Sequence, residues 1–141
     1  MALKIIDHDS AAYEQMVRLR DEILRKPLGL FLSKEELEKE KDYLLIAAYD
    51  DEIMLGCCML VEEGKTVRLR QMAVLNDLQG KGIGKALMQF AENLARDRGY
   101  GKITMHARKN ATGFYEKMGY KKIGDEFLEL NIPHYLMEKK L

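Results

Sequence analysis

The stretch Gln79-Gly80-Lys81-Gly82-Ile83-Gly84-Lys85 decides the reading of this chain. Three glycines at alternate positions let a backbone approach a ligand closely. Just downstream, Ile83, Leu87, Phe90, Ala91, Leu94 and Ala95 recur at helical spacing, and Gly99 is placed to end that helix. A helix start exposes unpaired N–H groups and a partial positive charge, which acidic or hydroxyl side chains ordinarily answer. This first turn has neither. It carries Lys81 and Lys85, unfavourable there unless an anion binds, so Gly80–Lys85 reads as a phosphate cradle. Two familiar phosphate loops do not fit. A Walker loop needs Gly at position 79 and Ser or Thr at 86, where Gln79 and Ala86 stand. The dinucleotide pattern needs Gly at position 85, where Lys85 stands, and an acid about 20 residues on, near Thr104 and His106. The alternative is a glycine turn that binds nothing.

The strand before the loop adds a second signal. Val67 and Leu69 alternate with Arg68 and Arg70, and then Met72 and Val74 take the opposite phase. A phase flip between Leu69 and Met72 predicts a β-bulge, a device that re-aims backbone groups beside sites. A strand buried on both faces after Gln71 would look the same.

Further outward, the chain alternates strands and helices without repeats or a linker. Leu3–Ile6 reads as a strand. Ser10 caps a helix expected to run to about Arg25, with Tyr13, Met16, Val17, Leu19, Ile23 and Leu24 on its apolar stripe. Pro27–Leu30 reads as a loop. Ser33 and Glu36 form a capping box for a charged helix over Lys34–Lys41, whose acidic run is expected to be a solvated face. Strands follow near Tyr43–Tyr49, Ile53–Glu62 and Thr66–Val74. After the long helix come a strand over Ile103–Ala107, a helix over Ala111–Met118, and strands over Tyr120–Phe127 and Tyr135–Lys139. Early hairpins pair antiparallel strands; the later crossover makes parallel neighbours.

Composition excludes several classes. With 141 residues, 23 Lys+Arg and 23 Asp+Glu, the chain has the length of one domain and no net charge. Zero balance, no Trp and no basic–aromatic interleaving argue against nucleic acid. The longest apolar run, Met54–Val61, falls far short of the ~20 residues of a membrane helix. The N-terminus shows no signal-peptide pattern. Adjacent Cys57 and Cys58 point to opposite faces of a strand, so no intrachain disulfide is expected and a reducing cytoplasm is. His8, His106 and His134 are scattered without metal spacing, so no metal is expected.

Two motifs together resemble the GNAT superfamily of N-acetyltransferases. Gln79, Gly82 and Gly84 match its acetyl-CoA motif Gln/Arg-x-x-Gly-x-Gly/Ala. Phe114-Tyr115-Glu116-Lys117-Met118-Gly119-Tyr120 is similar to its Phe-Tyr-Glu-Lys-Leu-Gly-Phe signature. The resemblance covers roughly Leu3 to Lys139. It implies an α/β (α+β) fold: one domain over residues 1–141, with a mixed twisted sheet of six to seven strands flanked by helices. Two parallel strands, ending near Val74 and Ala107, would splay into a V that admits acetyl-CoA. The resemblance puts the pyrophosphate on Gly80, Lys81, Gly82, Ile83, Gly84 and Lys85, the pantetheine and acetyl group along Met72, Ala73 and Val74, and cofactor contacts at Gln79, Ala111 and Phe114. It implies direct acetyl transfer from the thioester to a primary amine on a small molecule, with a homodimer as one family arrangement. A non-catalytic acyl-CoA sensor and a protein or peptide acetyltransferase are the alternatives.

The residues fit that chemistry. A bulged strand end can supply N–H donors to the tetrahedral oxyanion. The leaving thiolate needs a proton, and Tyr115 occupies the family's position for that general acid. Ala111 holds the usual small position, whereas Phe114 is expected to turn its ring to the core. Arg108 stands where the family often has Asn, and Asn110 lies two places later. No acid lies on Thr66–Gln71, where some relatives keep a base. The base is then water, His106, His134 with Glu129, or a carboxylate of the first half. Phe127–His134 resembles a Phe-x-Glu-x-Gly-Ile-Pro-His pattern of a family subset, with Asn131 for its Gly, and makes His134 a substrate-site candidate. The Arg25–Leu32 loop is placed to cover the acceptor pocket.

The zero net charge is a sum of unlike parts. Gly64–Lys122 carries 13 Lys/Arg against 4 Asp/Glu, whereas Met1–Glu63 carries 8 against 15 and Ile123–Leu141 carries 2 against 4. A basic middle suits a phosphate ligand, and the acidic flanks predict a cationic amine as acceptor.

Overall fold

The computed structural model describes residues 1–141. Seven strands form one mixed sheet: β1 (Ala2–Ile6), β2 (Leu44–Asp50), β3 (Ile53–Glu63), β4 (Thr66–Val74), β5 (Lys102–Arg108), β6 (Lys121–Glu129) and β7 (Ile132–Lys140). Their order is β1-β2-β3-β4-β5-β7-β6, and only β4 and β5 run parallel. The α-helices are α1 (Ala11–Arg20), α2 (Lys34–Lys39), α3 (Ile83–Asp97) and α4 (Thr112–Glu116). This is the mixed α/β fold expected, with the crossover helix α3 joining the parallel pair.

Strand alternation sorts the core into two layers. Ile46, Ala48, Cys58, Leu60, Val67, Leu69, Ile103, Met105 and Ala107 face α3 and α4, where they meet Leu87, Met88, Ala91 and Ala95. Leu45, Ala47, Tyr49, Cys57 and Met59 face the other way, onto Tyr13, Met16 and Leu19 of α1. Leu87 and Met88 are fully buried. Each such side chain contributes about 1.5–3 kcal/mol relative to exposure. Cys57 and Cys58 sit in opposite layers as free thiols.

Four expectations need correction. The first helix is α-helical only to Arg20; Asp21–Arg25 forms a π-turn. Apolar spacing through Ile23 and Leu24 reads the same for either winding, and π-turns often mark sites. The charged helix ends at Lys39, and its acidic run is not wholly solvated. Glu40 is buried and receives two 2.7 Å hydrogen bonds from Arg20 and one of 2.6 Å from Tyr13. No local pattern encodes a partner twenty residues away. Ala111 belongs to a 3-10 turn ahead of α4, which stops at Glu116. The last strand begins at Ile132 rather than Tyr135. It includes Pro133, which pairs with Leu128 of β6 but lies beyond the last β5 pairing, at His134. Proline lacks a donor, and there none is required.

Candidate active site

The parallel pair opens where the sequence points. Val67, Leu69 and the intervening Arg68 pair with Ile103–Met105, and pairing stops there although β4 continues to Val74 and β5 to Arg108. The bulge lies just past that point. Between Cys57↔Ala73 and Met59↔Arg70, β4 carries one residue more than β3. Gln71 takes the strain at φ 57°. Met72 and Val74 turn to the α3 layer, while Ala73 turns to the α1 layer. The open V is a cavity of about 890 Å³.

One end of this cavity is the glycine loop. Gln79 pins it by donating from Nε2 to the Val74 carbonyl (3.1 Å) and to Asn76 Oδ1 (3.3 Å). Gly80 and Gly82 have φ of 83° and 87°, and Gly82 is the cap of α3. A side chain there would be strained, so glycine is required by conformation. No side chain caps this helix, and no backbone carbonyl accepts from the amides of Gly82, Ile83, Gly84 or Lys85. Four unpaired amides thus open the 15-residue helix, and a helix start of this kind attracts anions. Gly80, Gly82, Gly84 and Lys85 line the cavity with Gln79. Lys81 is not among the lining residues, and the Ile83 side chain is buried in the core against Gly56. Ile83 therefore presents only its amide.

Met72, Ala73, Val74, Ala111, Phe114 and Tyr115 line the middle of the cavity. Phe114 does not turn to the core. The residue is 40% exposed and its ring lies against Gly84. The short α4 starts one residue after Ala111 and so presents Phe114 to the cavity mouth. Tyr115 is buried, edge-on to Phe114 and Tyr120. Its hydroxyl has no hydrogen-bond partner in the chain, unlike that of Tyr120, which donates to Glu92 at 2.8 Å. Burial, with the Cys58 thiol adding to it, pushes the Tyr115 phenol above its ordinary value. The phenol is therefore held protonated, with its hydroxyl free to donate to a group brought into the cavity.

The other end lies on the opposite face of the sheet. Arg68, Arg70, His106 and Arg108 alternate with the core residues of β4 and β5 and point away from α3. They share the cavity wall with Glu129 and His134 from the β6–β7 hairpin, whose turn places Leu130 and Asn131 at φ 53° and 60°. His106 Nδ1 stands 2.9 Å from Glu129 Oε1 and 2.9 Å from Arg68 Nη2. One ring nitrogen cannot donate and accept at once. With the carboxylate ionised, Nδ1–H donates to Glu129 and Arg68 contributes its charge. His134 is buried and donates from Nδ1 to the Ile132 carbonyl at 2.7 Å, which leaves Nε2 as the lone-pair nitrogen, 3.6 Å from Glu129 Oε2. Burial raises the Glu129 carboxyl, but the His106 hydrogen bond and the positive charge of His106 and Arg68 outweigh it and hold the carboxyl below its ordinary value.

The structure thus joins His106 to the His134 and Glu129 pair, which the sequence offered as an alternative to His106. Arg108 lines the cavity and Asn110 does not. Of the first-half carboxylates, Glu36 reaches the lining, 3.5 Å from Arg25. The cover over this end is the π-turn, through Ile23, Leu24 and Arg25, rather than the loop to Leu32. Nothing in the local sequence marks Ile23 and Leu24 as anything but core.

A mixed sheet with a splayed parallel pair, an uncapped glycine-led helix and a phenol between them defines the GNAT class of fold. The family model described as "Acetyltransferase (GNAT) domain" matches residues 13–141, and the chain belongs to this family. A Bacillus subtilis relative is 32% identical over 95 residues, 67% of this chain; the match spans 65% of that relative's length. The "Uncharacterized N-acetyltransferase YjcF" of the same bacterium is 30% identical over 124 residues, 86% of this chain and 87% of its own. The solved structure of an aminoglycoside 6'-N-acetyltransferase complexed with coenzyme A superposes with a TM-score of 0.84 at 20% identity, covering 99% of this chain and 97% of that one.

Proposed function

We propose that this chain is an N-acetyltransferase that moves an acetyl group from acetyl-CoA directly to a primary amine on a small molecule. The observation that carries this reading is the continuity of one cavity. It runs from the unpaired amides of Gly82–Lys85, past the Tyr115 hydroxyl, to His134 and Glu129 on the other face of the sheet. The coenzyme A bound to a structural neighbour supports the choice of donor.

In this reading the helix α3 amides and Lys85 hold the phosphates. The amine nitrogen attacks the thioester carbonyl carbon, and the C–N bond forms as the C–S bond breaks. Backbone N–H groups at the Met72–Val74 bulge stabilise the oxyanion that develops in between. The departing thiolate takes the Tyr115 proton. The proton lost by the amine goes to His134 Nε2, directly or through one water. The Glu129 carboxylate, 3.6 Å away, then stabilises the imidazolium. Tyr115 recovers its proton from solvent on product release.

The test is CoA-thiol release from acetyl-CoA across an amine panel, from polyamines and amino sugars to amino acids and peptides. Release that depends on added amine is expected. Acetyl-CoA binding with no release on any amine would replace this reading with that of an acyl-CoA sensor. Peptides outcompeting every small amine would replace the small-molecule acceptor. Both cysteines are free thiols, which fits a reducing compartment such as the cytoplasm.

A further inference from the structure

We infer that the acceptor amine carries an anionic group, a carboxylate or phosphate, held by Arg70 and Arg108; this rests on the acetyltransferase reading above. The cavity wall on the face away from α3 carries more positive charge than its own carboxylates neutralise. Four guanidiniums line it: Arg25, Arg68, Arg70 and Arg108. Only two carboxylates do, Glu36 and Glu129.

Those carboxylates are already engaged. Glu36 lies 3.5 Å from Arg25, and Glu129 faces His106 and His134 beside Arg68. Arg70 has no ion-pair partner in the chain, and the only protein group that Arg108 reaches is the Leu24 carbonyl, at 3.5 Å. Two positive charges are left over inside a concave, partly desolvated wall. A guanidinium recognises a carboxylate or phosphate through paired N–H donors and is the side chain best suited to that task.

The donor's phosphates do not account for this surplus. Their cradle is the start of α3, with Lys85, on the other side of the sheet. Arg70 and Arg108 flank the opened strand ends on the face of His106 and Glu129, where the amine must arrive. The acidic flanks do not reverse the sign. Glu40 is consumed by Arg20, and Asp50, Asp51 and Glu52 are exposed beyond the site. The expectation of a cationic acceptor counted charges by segment, whereas the cavity selects them by direction; the present inference replaces it.

The experiment measures kcat/KM by CoA-thiol release with the full chain on matched amines: phosphoethanolamine against ethanolamine, β-alanine against its amide, and spermidine. The anionic member of each pair is expected to be favoured about tenfold to a hundredfold. Arg70→Gln and Arg108→Gln should each raise the KM of the anionic amine by about tenfold, leave the acetyl-CoA KM within about twofold, and erode the preference. Arg70→Glu should turn the preference towards spermidine. Preference for spermidine or the neutral amines by the unmodified chain would overturn the inference while leaving the acetyltransferase intact. So would arginine variants that raise the acetyl-CoA KM instead. Absence of release with every amine would overturn the activity itself, and this inference with it.

Discussion

The ring of Phe114 occupies the space that a side chain on Gly84 would need: a Cβ there would stand 3.1 Å from Phe114 Cζ. The start of α3 and the start of α4 are thereby held in contact at the mouth of the cavity. Phe114 is part-exposed and can give way, so Gly84→Ala should fold normally and raise the acetyl-CoA KM only a few-fold. Gly82→Ala differs in kind. It places a Cβ at φ 87°, a strain of about 1–2 kcal/mol, and re-aims the amides of the cradle. Its acetyl-CoA KM should rise tenfold or more, read by the same thiol-release assay.

Tyr115→Phe removes only the hydroxyl. Loss of a general acid lowers turnover by about 10²–10⁴-fold. Acetyl-CoA affinity by calorimetry should hold, since no hydrogen bond to the protein is lost. The phenol is pushed up by burial, so wild-type kcat should show no loss through Tyr115 ionisation near pH 10, where free phenols titrate. Full turnover by the variant would remove Tyr115 from the mechanism.

Glu129 carries a signed pH prediction. Its folded carboxyl lies below the ordinary value, so its contribution to stability is present above the unfolded pKa and lost as pH falls through the folded one. Urea midpoints of wild type and Glu129→Gln should differ at pH 7 in favour of wild type. The gap should narrow only below about pH 4. A gap that widens in acid would contradict the assignment.

Arg20 and Glu40 are both buried and joined by two hydrogen bonds of 2.7 Å. Breaking one side of such a pair costs about 3–5 kcal/mol, because it strands a buried charge. Arg20→Met or Glu40→Gln should lower the urea midpoint markedly. Arg20→Met combined with Glu40→Leu should recover most of it, although the Tyr13 hydroxyl then loses its acceptor. The pair also ties the residue before the π-turn to the end of α2, so the single variants should raise acceptor KM more than acetyl-CoA KM.

Both thiols are fully buried, and burial pushes the Cys57 thiol up to about 12, with Cys58 also raised. The thiolate is the reactive form. A disulfide reagent should therefore leave the folded protein unlabelled and titrate two thiols after denaturation. Rapid labelling of the native chain would mean that β3 opens far more readily than its packing implies.

The order of elements was legible because strand and helix periods are local. So was the uncapped, glycine-led start of α3, since Gly80, Gly82 and the absence of any capping acid are facts about seven consecutive residues. The bulge showed as a phase flip between Leu69 and Met72 and reappears as the Gln71 strain. The π-turn did not show, because Ile23 and Leu24 keep apolar spacing under either winding. The exposure of Phe114 did not show either. It follows from how early α4 begins, and helix ends depend on packing as much as on composition.

By itself, then, the sequence determined the sheet-and-crossover plan, the glycine-led helix start and the phenol at Tyr115. Each is written in neighbours a few residues apart. Only the tertiary structure decided that Arg70 and Arg108 stand without carboxylates, that His106, Glu129 and His134 meet, and that Glu40 serves Arg20 rather than solvent. Charge in a sequence is a sum along the chain. Charge at a site depends on direction and distance, which exist only once distant strands have paired.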